Sequence, residues 1–366
     1  MKLNSRRIAL TFAGCFLGAG YVSGQEMYQF FLSFGLKGLF GIFLAMLMLF
    51  VFGVLLLLLA GISGAEHGDE LIIRAENKTL RTFVGVAEIF FLLGIAVIMA
   101  AGVGALFKQL IYFPPYVSSA VFCVLLFVLM LGGHERMVAV FSLTVPLLVI
   151  FTVAVSAAAY FRFPHSNLST AATVTPGINP LLGSWWFSAI TFVAYNLFSS
   201  VEIFAPLGKY IDSGKKTVTG IAGGCALLLV IALCIFFSMS LCPGSSETQL
   251  PMLAVADRIS PVLSAIYALL LLLGMLGTAL SSLVAVTHFL TDKIGKTQNK
   301  KVVCAALVSI FVYAGSLFGF GELIGTVYPL CGYFGTAAML CMTEHYIHLR
   351  IKKRKTPIGE SYDKKI

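Results

Sequence analysis

Three glutamates lie inside long apolar stretches of this sequence and are the side chains best placed to do chemistry: Glu26, Glu88 and Glu202. A charged side chain at the centre of a lipid bilayer costs about 2.5–3.5 kcal/mol on insertion scales, so such residues commonly bind a substrate, an ion or a proton. We interpret all three as candidates for coupling an ion or a proton to the function. The alternative is a structural role as neutral or hydrogen-bonded glutamates.

Glu26 ends a short polar stretch, Gly-Ala-Gly-Tyr-Val-Ser-Gly-Gln-Glu at residues 18–26, with apolar residues on both sides. Glycine costs a helix about 1 kcal/mol relative to alanine and lets the backbone leave helical geometry. A helix end inside the bilayer offers free N–H groups to a carboxylate and free carbonyls to a cation. We predict that Gly18–Gly20 break the helix and that Ser23 to Glu26 begin its outer half. The alternative is close helix packing through Gly14 and Gly18.

The composition places these residues in a membrane. Hydrophobic residues make up 59% of the 366-residue chain and charged residues 11%, against about a quarter in soluble domains. Apolar runs such as 39–60 are unbroken, unlike the alternating strands of a porin. We therefore predict an all-α polytopic membrane protein, with one transmembrane domain over 1–366. The runs suggest ten spans, at about 7–34, 38–61, 83–106, 116–132, 137–160, 184–207, 217–241, 260–290, 302–318 and 321–348.

The basic residues predict an orientation. If the N-terminus is cytoplasmic, all 25 Lys and Arg residues fall in cytoplasmic segments except Lys37, Lys108, Arg162 and Arg258. This distribution follows the positive-inside rule and predicts a cell (plasma) membrane protein with both termini in the cytoplasm, ending in a basic tail at 349–366. It also accounts for the net charge of +9 without nucleic-acid binding.

The ten predicted spans divide into two halves of five, 7–160 and 184–348. Because five is odd, the halves enter the membrane in opposite directions, as in transporters built from inverted repeats. The first span of each half carries a serine three residues before a glutamate, Ser23 with Glu26 and Ser199 with Glu202. We therefore predict that span six is also broken, within residues 196–200.

The stretch Ala-Gly-Cys-Phe-Leu-Gly-Ala-Gly at 13–20 resembles the first helix of sodium-coupled transporters with the LeuT fold. The whole chain resembles the YkvI-type family of bacterial membrane proteins, which we place among amino-acid permeases of the amino acid–polyamine–organocation superfamily. This resemblance implies a secondary active transporter that moves a small solute, an amino acid or a related amine, by alternating access. Nutrient sensors share the fold, and an amino-acid sensor subunit without net transport is the alternative.

The resemblance also implies where the ligands bind. Substrate lies between the breaks of spans one and six, which here indicates Gly18, Ala19, Gly20, Tyr21, Ser23, Tyr195, Asn196, Phe198, Ser199 and Ser200. Sodium in such transporters binds carbonyls before the first break and groups of span eight, which here indicates Gly14, Leu17, Thr278, Ser281 and Ser282. Two alternatives stay open: coupling to sodium at these residues, and coupling to protons through Glu26, Glu88 and Glu202.

Enzymatic chemistry is not indicated by the sequence. It contains no nucleotide-binding loop and no paired catalytic aspartates, His-Glu-x-x-His motif or Ser–Lys pair within the spans. The eight cysteines show no metal-ligand spacing. We predict a protein that is not an enzyme and needs no cofactor beyond a coupling Na⁺ or H⁺, with a small-molecule substrate and the bilayer as its partners.

Overall fold

The computed structural model describes residues 4–65, 67–73, 78–131, 135–165, 177–211, 213–294 and 298–355. Within these ranges the regular secondary structure is helical. The α-helices are α1 (Ser5–Phe16), α2 (Ala19–Val22), α3 (Gln25–Phe30), α4 (Leu36–Ser63), α5 (Gly68–Ile72), α6 (Lys78–Ile111), α7 (Pro115–Leu131), α8 (Glu135–Arg162), α9 (Trp185–Phe204), α10 (Gly214–Leu241), α11 (Pro251–Ile259), α12 (Pro261–Ile294), α13 (Gln298–Ser316) and α14 (Phe320–Lys355).

Among the described residues, six helices are long and apolar enough to cross a bilayer: α4, α6, α9, α10, α12 and α14. Two further apolar helical stretches are shorter, Pro115–Leu131 and Pro146–Arg162. The predicted class, an all-helical polytopic membrane protein, is confirmed. The count of ten spans and the repeat of two halves stay predictions.

The first predicted span is interrupted twice. Helix α1 ends at Phe16, Gly18 is extended with φ −76° and ψ 170°, and α2 begins at Ala19. A second interruption follows at Gly24, whose φ of +87° lies in the left-handed region that favours glycine. The predicted break at Gly18–Gly20 is therefore displaced, because Ala19 and Gly20 already belong to α2.

The predicted break in span six is wrong. Helix α9 runs without interruption through Asn196, Ser199 and Ser200 and ends at Phe204, just before Pro206. The three polar side chains each donate a hydrogen bond to a carbonyl of the same helix, at 2.8–2.9 Å. Such back-bonding satisfies the polar groups while the helix continues, and the stretch contains neither glycine nor proline.

Helix α9 lies at the centre of the bundle, packed against α4 and α14. Its contact with α14 is close because glycines face it. A Cβ atom on Gly335 would lie 2.3 Å from the carbonyl oxygen of Ala194, and one on Gly332 would lie 2.4 Å from the Thr191 side chain. The absence of side chains here lets the two backbones approach, as in other membrane-helix contacts.

We expect Gly335→Ala to destabilise the protein by about 1–3 kcal/mol, because the added methyl group meets backbone that cannot rotate away. Thermal unfolding in detergent measures the effect. Gly85→Ala is the matched control, since a Cβ on this helical glycine of α6 meets no atom within 4 Å. An equal fall in unfolding temperature for both variants would contradict the close α9–α14 contact.

Candidate functional site

Glu26 lies in the first turn of α3 and is buried, with 4% of its surface exposed. The hydroxyl of Tyr195, from the middle of α9, donates a hydrogen bond of 2.6 Å to Glu26 Oε2. Both side chains are buried. This bond joins the interrupted first span to the central helix, which makes Glu26 the functional candidate that the structure supports most directly.

Gly20 makes room for the Glu26 carboxyl group. A Cβ atom on Gly20 would lie 2.2 Å from Glu26 Oε1, so any larger residue would displace the carboxylate. The glycine thus matters for space beside α2 rather than for breaking the helix. The sequence indicated Gly20 and Glu26 as candidates, but it did not indicate that one packs against the other, because the turn at Gly24 lies between them.

Aromatic rings pack around Tyr195, the hydrogen-bond partner of this carboxylate. The ring of Tyr195 stacks on Tyr328 of α14, with centroids 4.6 Å apart and planes at 18°. Phe91 of α6 makes edge contacts with both tyrosines, and Phe198 lies 6.0 Å from Phe91 on its other side. Aromatic faces attract cations, so a carboxylate within such rings is suited to an organic ammonium group.

The residues around the double interruption are held by backbone contacts. Ser23 Oγ donates to the Gly20 carbonyl at 2.8 Å, and the Ser23 carbonyl accepts from the Met252 N–H at 2.9 Å. Tyr267 of α12 donates to the Val22 carbonyl at 2.6 Å. These bonds satisfy carbonyls that the interruption releases, so the Ser23 hydroxyl acts as a structural cap in this conformation.

Other predicted substrate residues point elsewhere. Tyr21 donates from its hydroxyl to the Leu228 carbonyl of α10 at 3.0 Å. The side chains of Asn196, Ser199 and Ser200 bond within α9. Among the polar side chains of the predicted substrate set, the structure therefore brings Tyr195 to Glu26. Tyr21 bonds to α10, and Ser23, Asn196, Ser199 and Ser200 bond to carbonyls nearby in the sequence.

The predicted sodium ligands do not converge through their hydroxyl groups. Ser282 Oγ donates to the Thr278 carbonyl at 3.0 Å, and Ser281 is exposed. Helix α1, which carries Gly14, packs mainly against α10. Helix α12 meets the first span further along, where Gly274 faces Ala19. The sodium site, with the Leu17 carbonyl, stays a prediction.

Glu88 and Glu202 form a second cluster of carboxyl groups. Their side chains lie close to each other, one on α6 and one on α9. Glu88 is 3% exposed, and its Oε1 has no hydrogen-bond partner. Glu202 accepts a 3.0 Å hydrogen bond from the backbone N–H of Gly68, at the start of α5.

Arg81 lies seven residues before Glu88 on α6, but its guanidinium group is paired with other carboxylates. Its guanidinium group pairs with Asp69 at 2.9 Å and with Glu70 at 3.1 Å. Among the residues that the structure describes, no Lys or Arg pairs with Glu88 or Glu202. Two full charges 4 Å apart repel by about 4 kcal/mol at an effective dielectric constant of 20, so the contact needs another source of neutralisation.

Comparison with known proteins agrees with this architecture. The chain is 28% identical to the membrane protein YkvI of Bacillus subtilis over 345 residues, which cover 93% of this chain and 96% of YkvI. It is a homologue of YkvI. A second Bacillus subtilis protein, YyaD, is 22% identical over 334 residues, covering 91% of this chain and 94% of YyaD. No protein-family model matches the chain.

Solved transporters with the LeuT fold have the same fold as this YkvI homologue. The inward-facing conformation of Mhp1 superimposes with a TM-score of 0.63 at 13% identity, covering 95% of this chain and 77% of Mhp1. MhsT in complex with L-phenylalanine gives a TM-score of 0.60 at 16% identity, covering 96% and 98%. The predicted family resemblance and the transporter fold are confirmed. Likeness at this level of identity shows the fold, and it indicates no enzyme family.

Tyr195→Phe should destabilise the YkvI homologue by about 1–3 kcal/mol, because it removes a hydrogen bond from a buried carboxyl group. Thermal unfolding in detergent measures this. Tyr116→Phe is the control, since Tyr116 is 57% exposed. If the two variants unfold at the same temperature, the Tyr195–Glu26 hydrogen bond does not stabilise the folded protein.

Proposed function

We propose that this protein is a secondary active transporter of a small solute, an amino acid or a related amine, which works by alternating access. The observation that carries the proposal is the buried Glu26 carboxyl group, held by Tyr195 of α9 where the first span is interrupted. Interrupted helices expose backbone groups at membrane depth, and transporters use them to bind substrates and ions.

The proposed membrane arrangement has ten spans in two five-helix halves, 7–160 and 184–348, with both termini in the cytoplasm and the plasma membrane as location. A described helix overlaps each predicted span, which supports this proposal, with α1 to α3 in the first and α13 in the ninth. The distribution of Lys and Arg supports the orientation.

The amine preference is supported by the charge and surroundings of Glu26. An ammonium group gains from a carboxylate and from aromatic faces, and the site offers both through Glu26, Tyr195 and Tyr328. The fold alone does not select a substrate, because the similar structures include MhsT with L-phenylalanine and a sodium-coupled sialic acid symporter. The coupling ion is sodium or a proton.

Uptake into proteoliposomes tests the proposal, with a panel of amino acids and amines and with sodium and pH gradients imposed separately. We expect uptake of at least one solute under one gradient. Glu26→Gln should lower its apparent affinity about ten- to a hundredfold, the effect of a lost charge-assisted hydrogen bond. Glu322→Gln is the control, because Glu322 is exposed at the start of α14.

Two results would contradict parts of this account. Ligand-induced thermal stabilisation without flux under either gradient would favour an amino-acid sensor. Equal uptake by Glu26→Gln and the wild type would remove Glu26 from the substrate site.

The sodium assignment has its own test, the double substitution of Ser281→Ala with Ser282→Ala. If sodium binds between α1 and α12, loss of both hydroxyls should weaken the sodium dependence of uptake while the protein still folds. Unchanged sodium dependence would reject the predicted ligands Gly14, Leu17, Thr278, Ser281 and Ser282.

A further inference from the structure

The contact between Glu88 and Glu202 lies away from the Glu26 site and has an unusual composition. The Glu88 carboxyl group is buried with an unpartnered oxygen, and it lies close to a second carboxyl group, Glu202, on another helix. Two ionised carboxylates in a poorly solvated place repel each other, so such pairs commonly hold a proton between them. A shared proton also gives the acceptor-only oxygens a donor.

Among the described side chains, the cation that α6 carries at this end is Arg81, and it is engaged elsewhere. The described titratable and charged groups that α5, α6 and α14 carry at this end include Asp69, Glu70, Arg81, Glu344, His345 and His348, and Lys209 follows α9. Arg81 is paired with both acidic residues of α5, and His345 Nδ1 lies 3.0 Å from the Leu71 carbonyl. The described donor that reaches the pair is the Gly68 N–H, which is neutral and contacts Glu202 alone.

We propose that Glu88 and Glu202 together form a proton-binding site, and that this proton, rather than sodium, is the coupling ion. This inference rests on the proposed transport function. With one proton the pair carries a single negative charge. When the proton leaves to water, the pair carries two charges and the contact between α6 and α9 is destabilised.

Helix α9 connects this site to Glu26. Tyr195 and Glu202 are seven residues apart on one uninterrupted helix, so they lie on nearly the same face, two turns apart. On α6, Glu88 is similarly one turn from Phe91, which packs against Tyr195 and Phe198. A shift of α9 relative to α6 on proton release therefore also moves Tyr195, the hydrogen-bond partner of Glu26.

Infrared spectroscopy of the purified protein in lipid tests the proton site directly. The wild type should show the carbonyl stretch of a protonated carboxyl group at neutral pH, and this band should decrease as the pH is raised. Glu88→Gln and Glu202→Gln should each remove the part of this band that a Glu26→Gln variant keeps, because the remaining carboxylate of the pair then accepts a hydrogen bond from the new amide. Glu322→Gln should leave the spectrum unchanged. Thermal unfolding of each variant shows that it is folded.

Transport provides the second readout. In proteoliposomes, the wild type should accumulate solute under an imposed pH gradient without sodium. Glu88→Gln and Glu202→Gln should lose that accumulation at least tenfold but keep exchange of labelled for unlabelled solute, since the Glu26 site is intact.

The outcomes separate this inference from the proposed function. A spectrum unchanged in both pair variants overturns the proton site, whether or not the protein transports. Accumulation driven by sodium alone, or a pH-driven accumulation that both variants retain, overturns the coupling role. A wild type that shows the proton band but no flux of any solute overturns the coupling role and the proposed transport function, and keeps the proton-binding site.

Discussion

A carboxyl group buried at the centre of an apolar helix bundle constrains how this protein is built. Glu26 is an ionisable group in a low-dielectric place, where an unpaired charge is costly. The structure meets that cost with the Tyr195 hydroxyl, with space beside Gly20 and with a chain that leaves helical geometry twice around it. The carbonyls released by these interruptions are bonded in turn by Ser23 and Tyr267.

Helix α9 connects the Glu26 contact to the Glu88 contact. It is uninterrupted, lies between α4 and α14, and bears Tyr195 toward Glu26 and Glu202 toward Glu88. A rigid helix with a polar contact at two levels is suited to pass a change at one contact to the other. The glycines of α14 that touch α9 allow the close packing on which this arrangement relies.

The sequence predicted the membrane class, because long unbroken apolar runs are costly to expose to water. It gave Glu26 as a candidate because a glutamate inside such a run is costly too. It failed for span six, where serines were interpreted as a break although they bond back to their own helix. Tyr328 and Phe91 were not predicted, because an aromatic residue in an apolar helix gives no sign of which ring it will face.

Alternating access is the central claim, and the distance between the N-terminal half of α1 and the C-terminal part of α12 tests it most directly. Spin labels at Leu10→Cys and Ala285→Cys, both at exposed positions, suit pulsed electron paramagnetic resonance once the eight native cysteines are replaced. The account predicts two distance populations whose ratio changes when a transported amine is added. A single distribution that the amine leaves unchanged would contradict it.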